Sequence, residues 1–466
     1  MEQKLEKRYG LPTAICMVVG IVIGSGVFFK AQDILNYTDG NMPLGILAWL
    51  IGGAVMVICA LTFSGLAAQY EKVNGVVDYA EAVVGGRYAY AVGWFMTTVY
   101  YPGMTSVLAW VSARYTLALF GSTDITGGTC MTLACLYLCL IYALSVLSPK
   151  LAGKFQVSST VIKLVPLSIM AVVGTVVGLV NGNMTAAFNT WSVSETGGFT
   201  SIFAAVVATA FAYEGWIIAT SINAELKNAK RNLPIALTVG AIIIISVYIL
   251  YYIGLSGAAN VDVLRTEGST SAFLKIFGNV GGGILNTFII ISCLGTLNGL
   301  MMGCTRGMYS IAVRNHGPAP KTLKQLDEKT NMPSNSAVCG LIYCALWLFY
   351  FYGANLREPL FGLFSFDSSE LPIITIYAFY IPIFVMYIFK HGKQNVLKNI
   401  VMPFISILAS LFMIFAAIYA HGISPYIKAA EDGKFSFPVL FYLIVFAVIM
   451  IIGMCFYRKD SKKTEK

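Results

Sequence analysis

Two long apolar runs of the sequence are each interrupted by glycine near their middle. The first interruption is the segment Gly24 to Gly26, and the second is the segment Phe211 to Trp216. Glycine adopts backbone conformations that other residues avoid, so each run predicts a helix that unwinds locally. Unwinding leaves peptide N–H and C=O groups without helical partners, and inside an apolar run such groups are available to a polar ligand.

The first interruption has the chemistry to bind a zwitterion. Gly24, Ser25 and Gly26 present little bulk, and the amides and dipole at the start of the following half-helix suit a carboxylate. Free carbonyls on the other side of the gap suit an ammonium group, and they would belong to Val19, Gly20 or Ile21. An α-amino acid carries both groups on one carbon and is the commonest solute of this kind.

The same glycines allow a simpler interpretation. Gly20 and Gly24 are four residues apart, which is the spacing of the small-xxx-small contact between membrane helices. That contact needs no ligand. The spacing alone leaves both alternatives open.

The composition indicates where the interrupted runs lie. Hydrophobic residues make up 57% of the 466 residues, charged residues make up 11%, and the mean hydropathy is +0.75. Since a soluble domain is about one quarter charged, the sequence predicts an all-α polytopic membrane protein. Twelve windows are apolar and long enough to cross a bilayer, and they cover residues 11–29, 43–69, 88–118, 129–147, 155–180, 199–222, 233–257, 281–311, 335–352, 370–389, 399–421 and 437–457. The first window has no small-residue cleavage site after it, so we expect a retained helix.

The basic residues predict the orientation in the membrane. If residues 1–10 and the tail 458–466 are cytoplasmic, most of the 31 Lys and Arg residues fall on the inside, and a minority that includes Lys30 falls outside. The positive-inside rule therefore places both termini in the cytoplasm, and we expect a multi-pass protein of the cell (plasma) membrane. The basic residues of the cytoplasmic segments also account for the net charge of +9, and such residues contact anionic lipid. We therefore expect a lipid bilayer and no nucleic acid as partner.

The cysteines and histidines indicate no cofactor. Nine of the ten cysteines fall within apolar windows, where a small, soft side chain is at home. Cys130, at the predicted outer edge of the fourth span, could be reached by an external partner, although an interfacial position in that helix is the simpler interpretation. The three histidines are scattered and no cluster has the spacing of metal ligands, so we expect no metal site.

The positions of the two interruptions predict an internal repeat. They lie in spans one and six, so each half contains five helices, and an odd number gives the halves opposite orientations in the membrane. In such folds the site lies between the two broken helices. We expect a first repeat over residues 11–180, a second over residues 199–390, and two appended spans over residues 399–457.

Lys163 is a candidate because of its depth. It lies about eight residues into the fifth window, roughly 12 Å from the start of the helix at about 1.5 Å per residue. An ionisable residue at that depth indicates a functional site, unless its ammonium group extends to the interface. Its apolar neighbours argue against such an extension. The ammonium could bind backbone carbonyls of the first span or exchange a proton.

Three motifs occur in order along the chain. They are Gly-x-x-x-Gly-Ser-Gly-x-Phe from Gly20, Phe-Ala-Tyr-Glu-Gly-Trp from Phe211 with a polar loop that ends in Arg-Asn-Leu-Pro, and Ser-Cys-Leu-Gly-Thr-Leu-Asn-Gly from Ser292. Together they resemble the amino acid–polyamine–organocation (APC) superfamily, and most of all its L-type amino acid transporter (LAT) branch. The resemblance implies a leucine-transporter-like 5+5 inverted repeat, with helices 1 and 6 broken, that moves amino acids by alternating access.

The resemblance also assigns roles. The segment Gly24 to Gly26 matches the carboxylate binders, Phe211 the aromatic residue that closes over the substrate, and the peptide groups of Ala212 and Tyr213 those that face the ammonium. Lys163 matches a lysine of the branch in helix five, where sodium-coupled relatives of this fold hold a cation, so we expect sodium-independent transport. The candidate residues are Val19, Gly20, Ile21, Gly24, Ser25, Gly26, Phe211, Ala212, Tyr213, Glu214 and Gly215 for the substrate, Lys163 for coupling, and Trp216, Ser292 and Asn298 for gating or support.

Glu214 stands where many relatives of the branch have a small or neutral residue, while some that accept cationic amino acids have an aspartate. Its carboxylate could meet a basic side chain of the substrate, take part in proton coupling, or only hydrogen-bond the broken backbone. We expect an exchanger (antiporter) of small neutral L-amino acids such as alanine and serine, with a proton-coupled symporter that accepts cationic amino acids as the alternative. An amino acid sensor would need a further reporting domain, and an enzyme would need more ionisable groups near one interface. We expect no obligate protein subunit.

Overall fold

The computed structural model describes residue 7 and residues 9–24, 26–70, 75–122, 124–189, 198–354, 359–392 and 395–457. Ser25, most of the N-terminal segment 1–10 and the tail 458–466 lie outside the described residues. Within those ranges the chain is almost entirely helical, and an isolated β-bridge pairs Tyr9 with Leu226.

The N-terminal half consists of α1 (Leu11–Val22), α2 (Gly26–Tyr37), α3 (Met42–Gln69), α4 (Gly75–Val83), α5 (Gly86–Phe95), α6 (Tyr101–Leu119), α7 (Gly128–Leu147), α8 (Pro149–Ile169), α9 (Thr175–Asn181) and α10 (Asn183–Asn189). Two π-helical turns join neighbouring helices into continuous rods. Met96–Tyr100 joins α5 to α6, and Met170–Gly174 joins α8 to α9.

The C-terminal half consists of α11 (Gly198–Tyr213), the 3₁₀ helix Trp216–Glu225, α12 (Ala229–Ala258), α13 (Val261–Glu267), α14 (Ser269–Ala312), α15 (Pro320–Leu323), α16 (Ser334–Ala354), a 3₁₀ turn Gly362–Phe364, α17 (Leu371–His391), α18 (Met402–Ile418), α19 (Ser424–Glu431) and α20 (Pro438–Cys455). The π-helical turns Leu397–Val401 and Tyr419–Ile423 flank α18. The long helix α14 is bent at Gly278, whose φ is +66°.

The predicted spans correspond to these helices. Among the described residues, ten helices are long and apolar enough to cross a membrane, and α1 with α2 makes an eleventh if the bent pair is one span. The predicted third span, residues 88–118, lies in the rod of α5 and α6, which is long enough but less apolar and is buried over residues 96–113. This helix therefore belongs to the interior of the bundle.

Both predicted interruptions are present. α1 ends at Val22, Ile23 is extended with φ −70° and ψ 100°, and α2 begins at Gly26 with its axis bent by 44° from that of α1. α11 ends at Tyr213, and Gly215 has a φ of +102°, which L side chains rarely adopt. The chain then continues as a 3₁₀ helix, where an α-helix was predicted.

The two interruptions meet in the centre of the bundle. α1 packs against α8, α12 and α14, and α2 packs against α11. A Cβ atom at Gly26 would lie 2.8 Å from Cα of Ala212, and one at Gly215 would lie 2.9 Å from Cγ2 of Ile21. The broken helices therefore touch through their glycines. We call the side of the bundle at which α1 begins the N-terminal face.

The structure places Cys130 and Lys30 in the interior, and for Lys30 this corrects the sequence-based prediction. Cys130 of α7 is fully buried, and its thiol lies 3.9 Å from the carbonyl oxygen of Trp110, so it is not open to an external partner. Lys30 was assigned to an outer loop, because the first window was taken to end at residue 29. Helix α2 continues to Tyr37, and Lys30 is buried within it.

Candidate functional site

Lys163 of α8 holds the end of the first half-helix. Its Nζ donates to the carbonyls of Gly20 and Ile23 at 2.6 and 2.5 Å, and to Oγ1 of Thr296 at 3.0 Å. A lysine ammonium has three N–H donors, so all three are used. The last carbonyls of a helix carry partial negative charge, and the fully buried ammonium neutralises it at the C-terminal end of α1.

Thr296 of α14 completes this arrangement. Its Oγ1 lies 3.2 Å from the carbonyl oxygen of Gly20 and 3.0 Å from that of Ile23. A Cβ atom at Gly24 would lie 2.8 Å from the same hydroxyl oxygen, so Gly24 allows the unwound segment to approach α14. The first interruption is thus fixed by two spanning helices, α8 and α14.

Tyr248 of α12 links the two interruptions. Its hydroxyl oxygen lies 3.0 Å from the carbonyl oxygen of Val22 and 2.9 Å from that of Ala212, so its one proton is shared between an acceptor from each broken helix. The side chain is fully buried. Sequence analysis did not select Tyr248, because an aromatic residue in an apolar helix is most often part of the core.

We expect Tyr248→Phe to lower amino acid uptake about tenfold, because the buried carbonyls of Val22 and Ala212 then lose the hydroxyl that donates to them. Tyr252→Phe is the matched control. Tyr252 lies one turn further along the same helix, is equally buried, and its hydroxyl has no hydrogen-bond partner among the described residues. Initial uptake rates of the two purified variants in proteoliposomes check the prediction. Equal rates would contradict a linking role for Tyr248.

Glu214 lies at the second interruption and faces α5 and α6. The hydroxyl of Tyr100 donates to its carboxylate, and the side chain of Glu214 is buried. Tyr100 is the last residue of the π-helical turn between α5 and α6, and such turns are frequent at functional sites. The amide of Gly215 also interacts with this carboxylate. Glu214 therefore bonds both the broken backbone and a neighbouring helix.

The structure revises the set of carbonyls that were predicted to accept hydrogen bonds from the ammonium of a bound zwitterion. The carbonyl of Val19 accepts the N–H of Ile23 at 2.8 Å within the last turn of α1, so the prediction that it is free was wrong. The carbonyl of Gly20 is bound by Lys163. Of the three predicted acceptors, this leaves the carbonyl of Ile21, which lies next to Gly215 of the second interruption.

The remaining predicted residues fall into two groups. Phe211, Ala212, Tyr213 and Trp216 are buried around the second interruption, and the hydroxyl of Tyr213 donates to the carbonyl of Trp49 at 3.1 Å. Asn298 and Ser292 are buried on α14. The amide of Asn298 donates to the side chain of Gln156 at 3.0 Å and to the carbonyl of Ala152 at 3.2 Å, so it joins α14 to α8.

An ion cluster lies above the first interruption, on the side away from the N-terminal face. Lys30 forms an ion pair with Glu370, lies 3.2 Å from a carboxylate oxygen of Asp33, and has its Nζ 5.4 Å from the ring centroid of Phe211. Nε2 of His421 hydrogen-bonds the other oxygen of Glu370 at 2.8 Å. The cluster joins α2, α17 and the turn after α18, and it covers the aromatic residue of the second interruption.

We expect Glu370→Gln to lower the free energy of unfolding by about 3 kcal/mol, because the substitution leaves the Lys30 ammonium buried with a weaker partner. Adding Lys30→Met should recover part of this loss. Thermal unfolding in detergent measures both variants. The exposed pair of Arg265 and Asp39, at 3.4 Å, is the control, since breaking it should cost less than about 1 kcal/mol. Equal losses for the two pairs would contradict a structural role for the cluster.

A second ion cluster closes the N-terminal face. Arg314, just beyond α14, forms ion pairs with Asp78 and, at 3.1 Å, with Glu81, and both carboxylates belong to α4. The N–H of Lys227 donates to the carbonyl of Tyr9 at 2.8 Å, which joins the start of the chain to the segment after the 3₁₀ helix. Ion pairs therefore join neighbouring elements on both faces of the candidate site.

The candidate site is made of backbone groups, hydroxyls and single charges. Within the described ranges, no group of three or more His, Cys, Asp or Glu side chains is placed to hold a metal ion. The arrangement suits reversible binding of a small zwitterion between two broken helices.

Comparison with known proteins agrees with this geometry. The chain is 30% identical over 413 residues to the serine/threonine exchanger SteT of Bacillus subtilis (strain 168), which covers 87% of this chain and 89% of the relative. It is 26% identical over 416 residues to the b(0,+)-type amino acid transporter 1 of Rattus norvegicus, covering 89% of this chain and 83% of the relative. It is also 24% identical over 346 residues to the human Asc-type amino acid transporter 1, covering 72% and 65%.

A solved structure shows the same fold. The crystal structure of MhsT in complex with L-phenylalanine aligns with a TM-score of 0.59 at 12% identity and covers 89% of this chain and 100% of that chain. It confirms the leucine-transporter-like architecture that the resemblance implied. The relatives are transporters and not enzymes. The model of the amino acid permease family matches residues 9–449, and this chain therefore belongs to the amino acid permease family of the APC superfamily.

Proposed function

We propose that this protein is a sodium-independent exchanger of small neutral L-amino acids, such as alanine and serine, that works by alternating access. The observation that supports this most is the ammonium of Lys163 on the carbonyls of Gly20 and Ile23. A fixed cation at the end of α1 provides the charge that a bound sodium ion would otherwise supply. Transport then requires no sodium gradient.

The substrate would bind between the interruptions. Its carboxylate would meet the N-terminal end of α2 at Gly26, where helix amides and the dipole favour an anion. Its ammonium would meet the carbonyl of Ile21. The contacts of Gly26 with Ala212 and of Gly215 with Ile21 leave little room, which favours small side chains. The similarity to a serine/threonine exchanger supports both the small substrate and the exchange mode.

The two ion clusters support alternating access. The cluster at Lys30 and Glu370 covers one face, and the cluster at Arg314 and Asp78 covers the other. Opening one face while the other stays closed gives the substrate access to one side at a time. Exchange follows if the bundle switches between its inward-open and outward-open states only when an amino acid is bound. Each amino acid that enters is then matched by one that leaves.

The proposal extends to the setting of the protein. We place it in the cell membrane with both termini cytoplasmic, so that the N-terminal face with Arg314 and Lys227 lies inside, in agreement with the positive-inside rule. We also propose that the single chain is sufficient for transport. The alternatives are a proton-coupled symporter, for which Glu214 would be a buried proton carrier, and an amino acid sensor with the same site.

The experiment is uptake of labelled alanine, serine, leucine and arginine into proteoliposomes that contain the purified chain. Vesicles are loaded with unlabelled amino acid, sodium is replaced by choline in one arm, and a pH gradient is imposed in another. We expect uptake of alanine and serine that ignores both sodium and the pH gradient. Uptake that needs an inward proton gradient would favour the symporter, and binding without uptake would favour the sensor.

A further inference from the structure

Three polar side chains form a buried cluster beside the second interruption. Tyr100 donates to the carboxylate of Glu214, and the ring of Tyr380 of α17 packs against that of Trp216, two residues beyond Glu214, with ring centroids 6.2 Å apart. All three side chains are more than nine-tenths buried.

The hydrogen-bonding capacity of this cluster is only partly used. The hydroxyl of Tyr380 has no hydrogen-bond partner among the described residues. The carboxylate of Glu214 has no ion-pair partner among them, although it accepts from Tyr100. A buried hydroxyl without a partner is unfavourable, so its presence beside a candidate binding site indicates that a ligand group completes it.

We infer that Tyr100, Glu214 and Tyr380 form a subsite for a hydroxyl group on the side chain of the substrate. A hydroxyl has one donor and two acceptor positions. Its O–H would donate to the carboxylate of Glu214, and its oxygen would accept from Tyr380. Tyr100 acts as a positioning residue, because its own bond fixes the orientation of that carboxylate.

The inference rests on the proposed function, which places the charged groups of the amino acid at the first interruption and leaves its side chain to extend towards the second. An aliphatic side chain would leave the hydroxyl of Tyr380 without a hydrogen-bond partner and the carboxylate of Glu214 with only Tyr100 and the amide of Gly215. An ammonium group could pair with Glu214, but it has no acceptor for the hydroxyl proton of Tyr380. A site that hydrogen-bonds a hydroxyl rejects the analogue without it much more strongly than an apolar pocket rejects an added hydroxyl.

The test uses threonine and valine, which have nearly the same shape and differ by a hydroxyl in place of a methyl group. The full chain is reconstituted, vesicles are loaded with alanine, and kcat/KM is measured for external threonine, valine, serine, alanine and lysine. We expect the wild type to prefer threonine to valine by at least about tenfold. Tyr380→Phe should lower kcat/KM for threonine and serine about fivefold to tenfold and leave alanine and valine within twofold.

Tyr387→Phe is the matched control. Tyr387 lies on the same helix and is as buried as Tyr380, but its hydroxyl already donates to the side chain of Asn399 at 3.0 Å. The control should keep the wild-type ratio of threonine to valine. Because Tyr380→Phe removes an unpaired hydroxyl, we expect that variant to fold normally, and size-exclusion chromatography checks this.

Three results would overturn the inference alone, and a fourth would overturn the proposed function as well. One is a wild type that transports valine as well as threonine, and another is a Tyr380→Phe variant with an unchanged ratio of threonine to valine. If alanine exchange persists, either result would show that the site does not recognise a hydroxyl. A preference for lysine over threonine that is lost in Glu214→Gln would assign the cluster to an ammonium group. Absence of alanine exchange in the wild type would instead overturn the proposed function, and the inference with it.

Discussion

We expect Gly26→Leu to reduce amino acid uptake at least about 100-fold, since displacements of about 1 Å in a site have effects of this size. A Cβ atom at this position would lie 2.8 Å from the backbone Cα of Ala212 and 3.4 Å from the ring of Phe211. A backbone atom cannot move aside as the end of a flexible side chain can. The leucine would therefore separate the two interruptions and fill the space in which the carboxylate of the substrate is proposed to bind.

The measurement is uptake of labelled alanine by reconstituted protein, with size-exclusion chromatography to show that the variant is folded. Gly283→Leu is the control, because Gly283 lies in α14 and a Cβ atom there meets no atom within 4 Å. The control should retain wild-type uptake. A folded Gly26→Leu variant with normal uptake would exclude a substrate site at the first interruption.

We expect Lys163→Ala to lower the turnover rate about 100-fold with little change in the amount of folded protein. The substitution removes a buried positive charge and three hydrogen bonds, two of which hold the end of α1. Hydrogen bonds from charged groups contribute about 1.5 to 3 kcal/mol each, so the loss of even one has a large effect on the position of the half-helix.

Lys154→Ala is the matched control for this prediction. Lys154 lies on the same helix α8, but its side chain is exposed. Its loss should leave both turnover and expression unchanged. Turnover in Lys163→Ala equal to that of the control would show that α1 needs no fixed cation, and the argument for sodium independence would fail.

The helices and both interruptions could be predicted from the sequence. Apolar windows of sufficient length fix the spans. Glycine at Gly24, Gly26 and Gly215 marks the unwound segments, because a Cβ atom at each position would lie within 3 Å of an atom of another helix. The interior position of α5 and α6 could not be predicted. The side chains of Tyr88, Tyr90 and Trp94 donate to carbonyls of α17 and α20. A hydropathy window does not show such contacts between helices.

The candidate site was only partly predictable. The depth of Lys163 in its window indicated burial, and the structure adds its partner Thr296 on a helix far away in sequence. Tyr248 carried no sequence signal, because its function depends on two carbonyls that only the fold brings together. Lys30 is 340 residues from its partner Glu370. The sequence alone did not show that a carboxylate would pair with it, so its charge was taken to indicate an exposed loop.

The central claim is that the site between the two interruptions exchanges one amino acid for another. Efflux of labelled alanine from loaded proteoliposomes tests it most directly, with and without unlabelled serine outside, in buffer without sodium and at equal pH on both sides. We predict that the label leaves only when external serine is present. Equal efflux into buffer without amino acid would contradict the exchange mechanism.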